Sequence, residues 1–186
     1  GAVPASLLKG KVPVIVRLQS PMLKVAGTQQ WELTEDLKLA ADFEASLMRD
    51  ADRVIAISDH IVETIWELYP DALKYQTVDK VYLGVGENVC KSARKKGNKA
   101  IRLLFVGRLE RRKGIHTIFE ILPDLMSKHS YFEMRFLGND TIVDQVLGMS
   151  YKDYFYKKYG KEEWAERVTF LGQVNNDIKN QEYADC

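Results

Sequence analysis

The sequence predicts an α/β fold in which helices cover parallel β-sheets. Short apolar segments of strand length alternate with longer segments in which apolar residues recur every three or four positions. Residues 53–57 form such a strand before a helix capped by Ser58, and residues 101–106 form another before a helix that begins near Ile115. Because repeated strand–helix units are most simply built with parallel strands, we expect parallel sheets with flanking helices.

The composition indicates a folded protein and argues against several classes of function. The chain has 186 residues, of which 46% are hydrophobic and 28% charged, so it can bury a core. Its formal net charge is only +1, so any anion site must be local, and we expect no nucleic-acid partner. No apolar run approaches the ~18 residues of a membrane span.

The cysteines and histidines predict no metal site. Cys90 and Cys186 form neither a metal-ligand spacing nor a disulfide framework, and no such spacing exists among the histidines and carboxylates. This cysteine usage favours a reducing compartment, and we expect a cytoplasmic protein.

The first expected strand covers residues 12–18. Gln19 follows at its carboxyl end, the end at which open α/β sheets bind ligands. A polar loop is expected from there to Trp31.

Two helices are expected to flank the strand at residues 53–57. The first covers residues 35–49, with Thr34 as its N-cap and Glu44 as a charge within its apolar stripe. The second follows Ser58 and ends before Pro70.

The middle of the chain predicts a domain boundary. Residues 71–80 are polar and expected to be irregular, and residues 81–85 form a short strand or connector, where we place the boundary. Residues 91–99 are the most basic run, expected to be a solvated loop, with contact to anionic lipid as the lesser alternative.

The second part of the chain continues the alternation. Pro123 is expected to kink or stop its first helix, and Ile178 is expected to face inward from its last. The aromatic residues of the middle helix are expected to pack inward with its lysines outward. The strands are expected at 101–106, 131–137 and 168–171, and the helices at 115–128, 144–167 and 175–185.

A basic turn joins the strand at residues 101–106 to the helix that follows. Gly107 and Gly114 bound it, and it contains Arg108, Lys113 and two further arginines at 111 and 112. A helix N-terminus preceded by basic side chains favours a bound phosphate, because unpaired N–H groups and guanidinium forks both bind phosphate oxygens. A solvated turn of an ordinary α/β protein remains an equal alternative from these residues alone.

Three successive strands each end in a glycine. Gly107, Gly138 and Gly172 follow the strands directly, and in a parallel sheet they would lie on one edge. Together they suggest an edge at which a ligand lies against bare backbone.

These motifs carry a resemblance to a known family. F-V-G-R-L-E-R-R-K-G, R-F-L-G-N-D and V-T-F-L-G-Q-V-N-N-D, in this order, resemble the C-terminal Rossmann-like domain of a family 4 retaining glycosyltransferase of the GT-B fold. Upstream, V-P-V-I-V-R-L-Q-S-P and R-D-A-D-R-V-I-A-I-S resemble the end of that family's N-terminal domain. The resemblance implies part of a GT-B architecture, with residues 1–80 on the acceptor side and residues 81–186 binding a nucleotide-sugar.

The resemblance also implies roles for individual residues. Arg108 and Lys113 would hold the diphosphate of the donor and stabilise it as it departs, with no metal or other cofactor. Gly107 would let the chain approach closely, and Gly138 would lie beneath the nucleotide. The backbone at Val174, together with Lys179, would contact the base. These are the base, diphosphate and approach contacts of the donor. The acceptor would be a sugar, a glycan or a lipid, and it would lie on the side of residues 1–80. Peripheral membrane contact is a further expectation.

The sequence departs from the family pattern in three respects. Gln19 stands where a histidine is expected near the reacting sugar, and Gln cannot transfer a proton. Residues 83–86 read L-G-V-G in place of the family's asparagine–glycine–valine–aspartate. The family's paired glutamates would lie just after Cys186, and its N-terminal glycine-rich loop is missing. We therefore expect a fragment of a longer enzyme that is inactive by itself.

A second class of function stays open on the same residues. Gln19 and the missing glutamates would also suit a non-catalytic nucleotide- or partner-binding module. A glutamate pair encoded downstream would favour the enzyme over the module.

Overall fold

The computed structural model describes residues 10–84 and 100–186. The chain divides into two compact units, Gly1–Val85 and Gly86–Cys186. Each contains a three-stranded parallel sheet with flanking helices, which confirms the predicted α/β fold. The basic run at residues 91–99 lies outside the described residues.

The first unit has the strand order β1-β2-β3, and all neighbouring strands are parallel. Val54 of β2 pairs with Val16 on one side and Val78 on the other. Its elements are β1 Ile15–Arg17, α1 Met22–Gln29, α2 Glu35–Asp50, β2 Arg53–Ala56, α3 Asp59–Leu68 and β3 Val78–Lys80.

The predicted helix caps of this unit are confirmed. Thr34 accepts a hydrogen bond from the Leu37 amide at 3.3 Å, and Ser58 accepts one from the Ile61 amide at the same distance. Each bond satisfies an amide that has no partner within its own helix, which fixes the residue at which the helix starts.

The charge in the apolar stripe of α2 also has a structural explanation. The Glu44 carboxylate accepts hydrogen bonds from the Met22 amide at 2.9 Å and the Tyr69 hydroxyl at 2.8 Å. Burial, together with the bond to Glu44, raises the pKa of the Tyr69 phenol. Glu44 thereby joins α2 to the first turn of α1 and to the end of α3.

The structure of the first unit differs from three expectations. The loop predicted up to Trp31 contains α1, whose first amide is capped by Glu44, a residue distant in sequence. The strand predicted over residues 12–18 is only β1, Ile15–Arg17. The segment predicted to be irregular contains β3, which pairs through its backbone and has little apolar pattern.

The second unit has the strand order β4-β5-β6, again parallel throughout. A 3₁₀ turn over Arg111–Lys113 precedes α4, and another over Glu163–Arg167 precedes β6. Its elements are β4 Ile101–Val106, α4 Ile115–Lys128, β5 Phe132–Leu137, α5 Tyr151–Tyr159, β6 Val168–Gly172 and α6 Asn176–Asp185.

Aromatic rings form much of the second core. Phe119 of α4 contacts Phe136 of β5 edge-on at 5.6 Å and Phe155 of α5 at the same centroid distance. Tyr151 and Phe155 are buried, whereas the lysines of α5 are exposed. This confirms that α5 uses its rings for packing.

The helix predicted over residues 144–167 is much shorter in the structure. Asp144 accepts hydrogen bonds from the Val146 and Leu147 amides, both at 3.0 Å, which forms a turn in place of a helix. α5 begins only after Ser150, which caps it by accepting from the Asp153 amide at 3.2 Å. The side-chain hydrogen bonds of Asp144 therefore compete successfully with helix formation.

α4 continues through Pro123 to Lys128, the end that the sequence predicted, so the early stop, one of the two effects expected of the proline, does not occur. A proline has no N–H, so the Phe119 carbonyl loses its helical partner. The Tyr159 hydroxyl donates to that carbonyl at 3.3 Å and supplies the missing hydrogen bond.

Ile178 does not face inward, contrary to expectation, and is 47% exposed. The inward position of α6 belongs to Glu182, whose carboxylate accepts a hydrogen bond from Arg135 of β5 at 2.6 Å. An ion pair therefore anchors this helix to the sheet, which an apolar pattern cannot reveal.

Candidate functional site

The three strands of the second unit end on one edge, as predicted. Val106 pairs with Leu137, and Leu137 pairs with Gly172. The Gly107 amide donates to the Leu137 carbonyl at 2.9 Å, and the Gly138 amide donates to the Gly172 carbonyl at 2.8 Å. The three glycines therefore lie side by side at the carboxyl edge of the sheet, where α/β proteins bind ligands.

Gly138 is required by the neighbouring backbone. A Cβ atom at this position would lie 1.9 Å from the Gly107 carbonyl oxygen, and the φ of Gly138 is +149°. Both conditions exclude any other residue without a shift of the chain. The sequence suggested a ligand as the reason for bare backbone here, and the structure adds close contact between two strand ends as a sufficient one.

Two arginines of the basic turn are held by buried carboxylates. Arg111 makes two hydrogen bonds with Asp144, at 3.1 and 3.3 Å, and the side chain of Asp144 is only 2% exposed. Arg112 donates to Glu110 at 2.7 Å, and the side chain of Glu110 is 1% exposed. These contacts fix the shape of the turn.

The other two cations face solvent. The Arg108 side chain is 55% exposed, and its guanidinium lies 3.3 Å from Glu110. Lys113 is exposed and forms no ion pair with any residue in the described parts of the chain. The Lys113 stem lies beside the edge, because its Cγ is 4.0 Å from where a Gly107 Cβ would be. Arg108 and Lys113 are thus the cations of the turn best placed to bind an anion.

The start of α4 completes this side of the edge. Gly114 is the N-cap in the left-handed conformation, with φ +76°, and provides no side chain to cap the helix. The amides of the first turn of a helix favour an anion. The predicted strand, basic turn and helix N-terminus are therefore present in the order that the sequence indicated.

Val174 and Lys179 lie on the segment that leaves the same edge after β6. Val174 is half-buried in the turn, and Asn175 caps α6 by accepting from the Ile178 amide at 2.9 Å. The Lys179 ammonium donates to the Asn176 side chain at 2.8 Å, so it is held against its own helix.

Gln19 belongs to the first unit. It is exposed and follows β1 directly, and the preceding Leu18 amide donates to the Ile55 carbonyl at 2.7 Å. Gln19 therefore lies at the carboxyl edge of its own sheet, as the sequence predicted.

Glu110 and Asp144 are site residues that the sequence analysis missed. The sequence could have indicated Glu110, since it is the only acidic residue between Gly107 and Gly114 and stands among basic residues. No such feature indicates Asp144, because its partner Arg111 is 33 residues away.

The electrostatics of Asp144 follow from its contacts. Burial raises the pKa of its carboxyl. The hydrogen bonds from Arg111, Tyr151 and the Leu147 amide lower the pKa by more than burial raises it, so the pKa is below its ordinary value. The bond to Asp144 raises the pKa of Arg111, and burial raises that of Tyr151.

Neither a metal-ligand cluster nor a membrane-spanning helix is present in the described part of the chain. Residues 10–84 and 100–186 contain no group of three or more His, Cys, Asp or Glu side chains arranged to hold a metal ion. No helix in those residues is both long enough and apolar enough to cross a membrane.

The parallel sheets and the glycine-lined edge define a Rossmann-like α/β protein. A model of the family described as glycosyl transferases group 1 matches residues 90–186. The match covers more than half of the chain, and the chain belongs to this family.

The chain is similar to known proteins both in sequence and in structure. Spore coat protein SA of Bacillus subtilis (strain 168) is 32% identical over an alignment of 107 residues, and the match covers 51% of this chain and 28% of that protein. The crystal structure of Anabaena HepE in complex with UDP and glucose matches all of this chain and 47% of its own, with a TM-score of 0.64 and 18% identity. This likeness concerns the fold, which is part of a GT-B glycosyltransferase architecture. The chain spans less than half the length of either protein.

Proposed function

We propose that the chain is part of a retaining glycosyltransferase of family 4, which transfers a hexose from a nucleotide-diphospho-sugar to an acceptor. The observation that carries this proposal is the edge of the second sheet. There the adjacent glycines, the exposed Arg108 and Lys113 and the start of α4 combine bare backbone with positive charge. Membership of the glycosyl transferases group 1 family supports the same class of reaction.

In this proposal Arg108 and Lys113 hold the donor diphosphate. Breaking the sugar–phosphate bond places negative charge on the departing diphosphate, and fixed cations lower that barrier. Guanidinium binds phosphate oxygens through two parallel hydrogen bonds, whereas the ammonium acts as a point charge. The two side chains would supply this charge without a metal ion or other cofactor.

The remaining donor contacts follow from the same edge. Gly107 would allow the diphosphate to approach the backbone, and Gly138 would lie beneath the nucleotide. The backbone at Val174, with Lys179, would contact the base, since both lie on the segment leaving β6.

Residues 1–80 would form the acceptor side and residues 81–186 the donor side. Gln19 is exposed at the carboxyl end of β1, and its amide can hydrogen-bond a sugar hydroxyl. The acceptor would be a sugar, a glycan, a lipid or another small molecule. A lipid acceptor would bring the protein to a membrane surface from the cytoplasm. We expect this chain alone to be inactive.

A thermal-shift panel of UDP, GDP and ADP, each with and without its sugar, tests donor binding. A ligand present at ~100 times its Kd stabilises the folded state by about 2.7 kcal/mol. UDP is the first choice because the HepE structure contains UDP and glucose. We expect the nucleoside diphosphate with the matching base to raise the melting temperature. If none of the three diphosphates raises it, the proposal is overturned.

A non-catalytic nucleotide- or partner-binding module is the second candidate. Gln19 favours it, because its amide cannot transfer a proton where the family often carries a histidine. The name of the Bacillus subtilis relative refers to a spore coat and not to a reaction. Nucleotide binding without donor hydrolysis or transfer by the intact protein would favour the module.

A further inference from the structure

Glu110 lies beneath the basic turn with its side chain almost fully buried. One oxygen, Oε1, receives both Arg108, at 3.3 Å, and Arg112, at 2.7 Å. The side chain of Glu110 is 1% exposed, that of Arg112 is 23% exposed and that of Arg108 is 55% exposed. The buried carboxylate thus connects an interior arginine to the exposed arginine that follows Gly107.

A carboxylate in this position needs a reason to be there. A buried charge is costly unless it is paired and hydrogen-bonded, and Glu110 meets that condition through arginine contacts. An unattached exposed arginine samples many rotamers, and ordering such a side chain on binding costs conformational entropy. An ion pair made before the ligand arrives reduces that cost.

The backbone supports the same geometry. The Lys113 amide donates to the Glu110 carbonyl at 2.9 Å. Glu110 is therefore also the N-cap residue of the 3₁₀ turn. The amide of the neighbouring Leu109 donates to the Asn139 carbonyl at 2.9 Å, which fixes the turn to the end of β5. Glu110 is therefore held on a rigid segment.

We propose that Glu110 is a positioning residue that holds the Arg108 guanidinium at the sheet edge for the diphosphate group of a nucleotide donor. This inference rests on the proposed function. Glu110 acts through Arg108 and does not touch the ligand. Its negative charge opposes an anion, so orientation of Arg108 must outweigh that repulsion.

The test compares UDP with uridine, because only UDP carries the diphosphate. Isothermal titration of the whole chain is run for wild type, Glu110→Gln, Arg108→Ala and the double variant. Glu110→Gln is expected to weaken UDP binding about tenfold, within the range of coupling between contacting side chains, and to leave uridine binding unchanged. The double variant is expected to bind UDP no worse than Arg108→Ala, since Glu110 acts through that side chain.

The matched control is Glu133→Gln. Glu133 of β5 pairs with Arg102 at 3.5 Å, four residue pairs before the carboxyl edge, so it loses the same charge away from the site. It is expected to bind UDP as wild type does.

A second measurement uses only the wild-type chain, so it does not depend on whether a variant folds. In the wild-type chain, ¹⁵N relaxation of the Arg108 guanidinium is expected to show restricted motion without ligand, compared with the exposed Arg49. Equal mobility of the two side chains would overturn the inference.

The outcomes separate the two proposals. UDP binding by Glu110→Gln that equals or exceeds wild type, or losses that add in the double variant, would overturn the positioning role alone. A wild-type chain that binds no nucleoside diphosphate more tightly than its nucleoside would overturn the proposed function, and the positioning role with it.

Discussion

Arg111 and Asp144 join two loops of the second unit through a pair of hydrogen bonds at 3.1 and 3.3 Å. Arg111 belongs to the basic turn after β4, and Asp144 lies between β5 and α5. The Asp144 carboxylate also accepts from the Tyr151 hydroxyl at 2.6 Å. One buried side chain therefore fixes the turn and the start of α5.

Asp144→Asn should destabilise the second unit by about 3 kcal/mol at pH 7, because breaking a buried pair leaves the other charge uncompensated. Urea unfolding followed by Trp164 fluorescence, with Trp31 and Trp66 replaced by phenylalanine, measures this. Asp124→Asn is the control, since Asp124 pairs with Lys128 at the surface. Its effect should stay within about 1 kcal/mol.

The same carboxylate predicts a pH dependence. The pKa of Asp144 is lower in the folded than in the unfolded state, so its contribution is present above about pH 4 and is lost as the pH falls through the folded pKa. The difference between wild type and Asp144→Asn should therefore stay constant well above about pH 4 and shrink as the pH falls below that value. A difference that is constant or grows on acidification would contradict this assignment.

Gly138→Ala should prevent normal folding of the second unit, because the new Cβ would lie 1.9 Å from the Gly107 carbonyl oxygen. Gly27→Ala is the matched control. Gly27 lies within α1, and apart from its chain neighbours and the backbone of its own helix no atom of the described residues lies within 4 Å of its Cβ position. The control should stabilise the chain by about 0.5–1 kcal/mol, as alanine does within helices. Circular dichroism melting of both variants measures the contrast, and equal melting temperatures would refute it.

Tyr159→Phe should cost about 1 kcal/mol, since it leaves the Phe119 carbonyl without a partner. In a Pro123→Ala background the cost should fall, because the alanine N–H can bond that carbonyl. Tyr156→Phe is the control, at a position of α5 that is 49% exposed. The coupling is measured by a double-mutant cycle in urea, and additive losses would argue against the role of Tyr159.

Under the proposed function, Arg108→Ala should lower the rate of transfer by the intact protein by roughly 10²–10³, because it removes one pre-oriented donor to the departing charge. Release of nucleoside diphosphate at saturating donor measures this. Lys128→Ala is the control, since Lys128 lies at the opposite end of α4 from the basic turn. Turnover of Arg108→Ala within tenfold of wild type would refute the assignment.

Local chemistry accounts for the parts of the fold that the sequence predicted well. Thr34 and Ser58 cap helices through amides three residues away, so both partners are visible in one short segment. β4 is almost continuously apolar and β5 alternates apolar and polar residues, so both segments could be recognised as strands. Parallel pairing then requires the glycines after these strands to share an edge.

The missed features depend on residues distant in sequence. α1 was missed because its first amide is capped by Glu44. The helix predicted over residues 144–167 does not begin at Asp144, because Asp144 binds Arg111 and nearby amides. α4 passes Pro123 because Tyr159 supplies a hydrogen bond from another helix.

The sequence by itself determined the alternation of strands and helices, the glycine-lined edge and the basic turn beside it, because each depends on neighbours along the chain. Only the tertiary structure decided which cations of the turn are available. It pairs Arg111 with Asp144, places Glu110 between two arginines and leaves Arg108 and Lys113 facing solvent. The physical reason is that the residue type alone determines the charge of a side chain, whereas tertiary packing determines which partner it contacts.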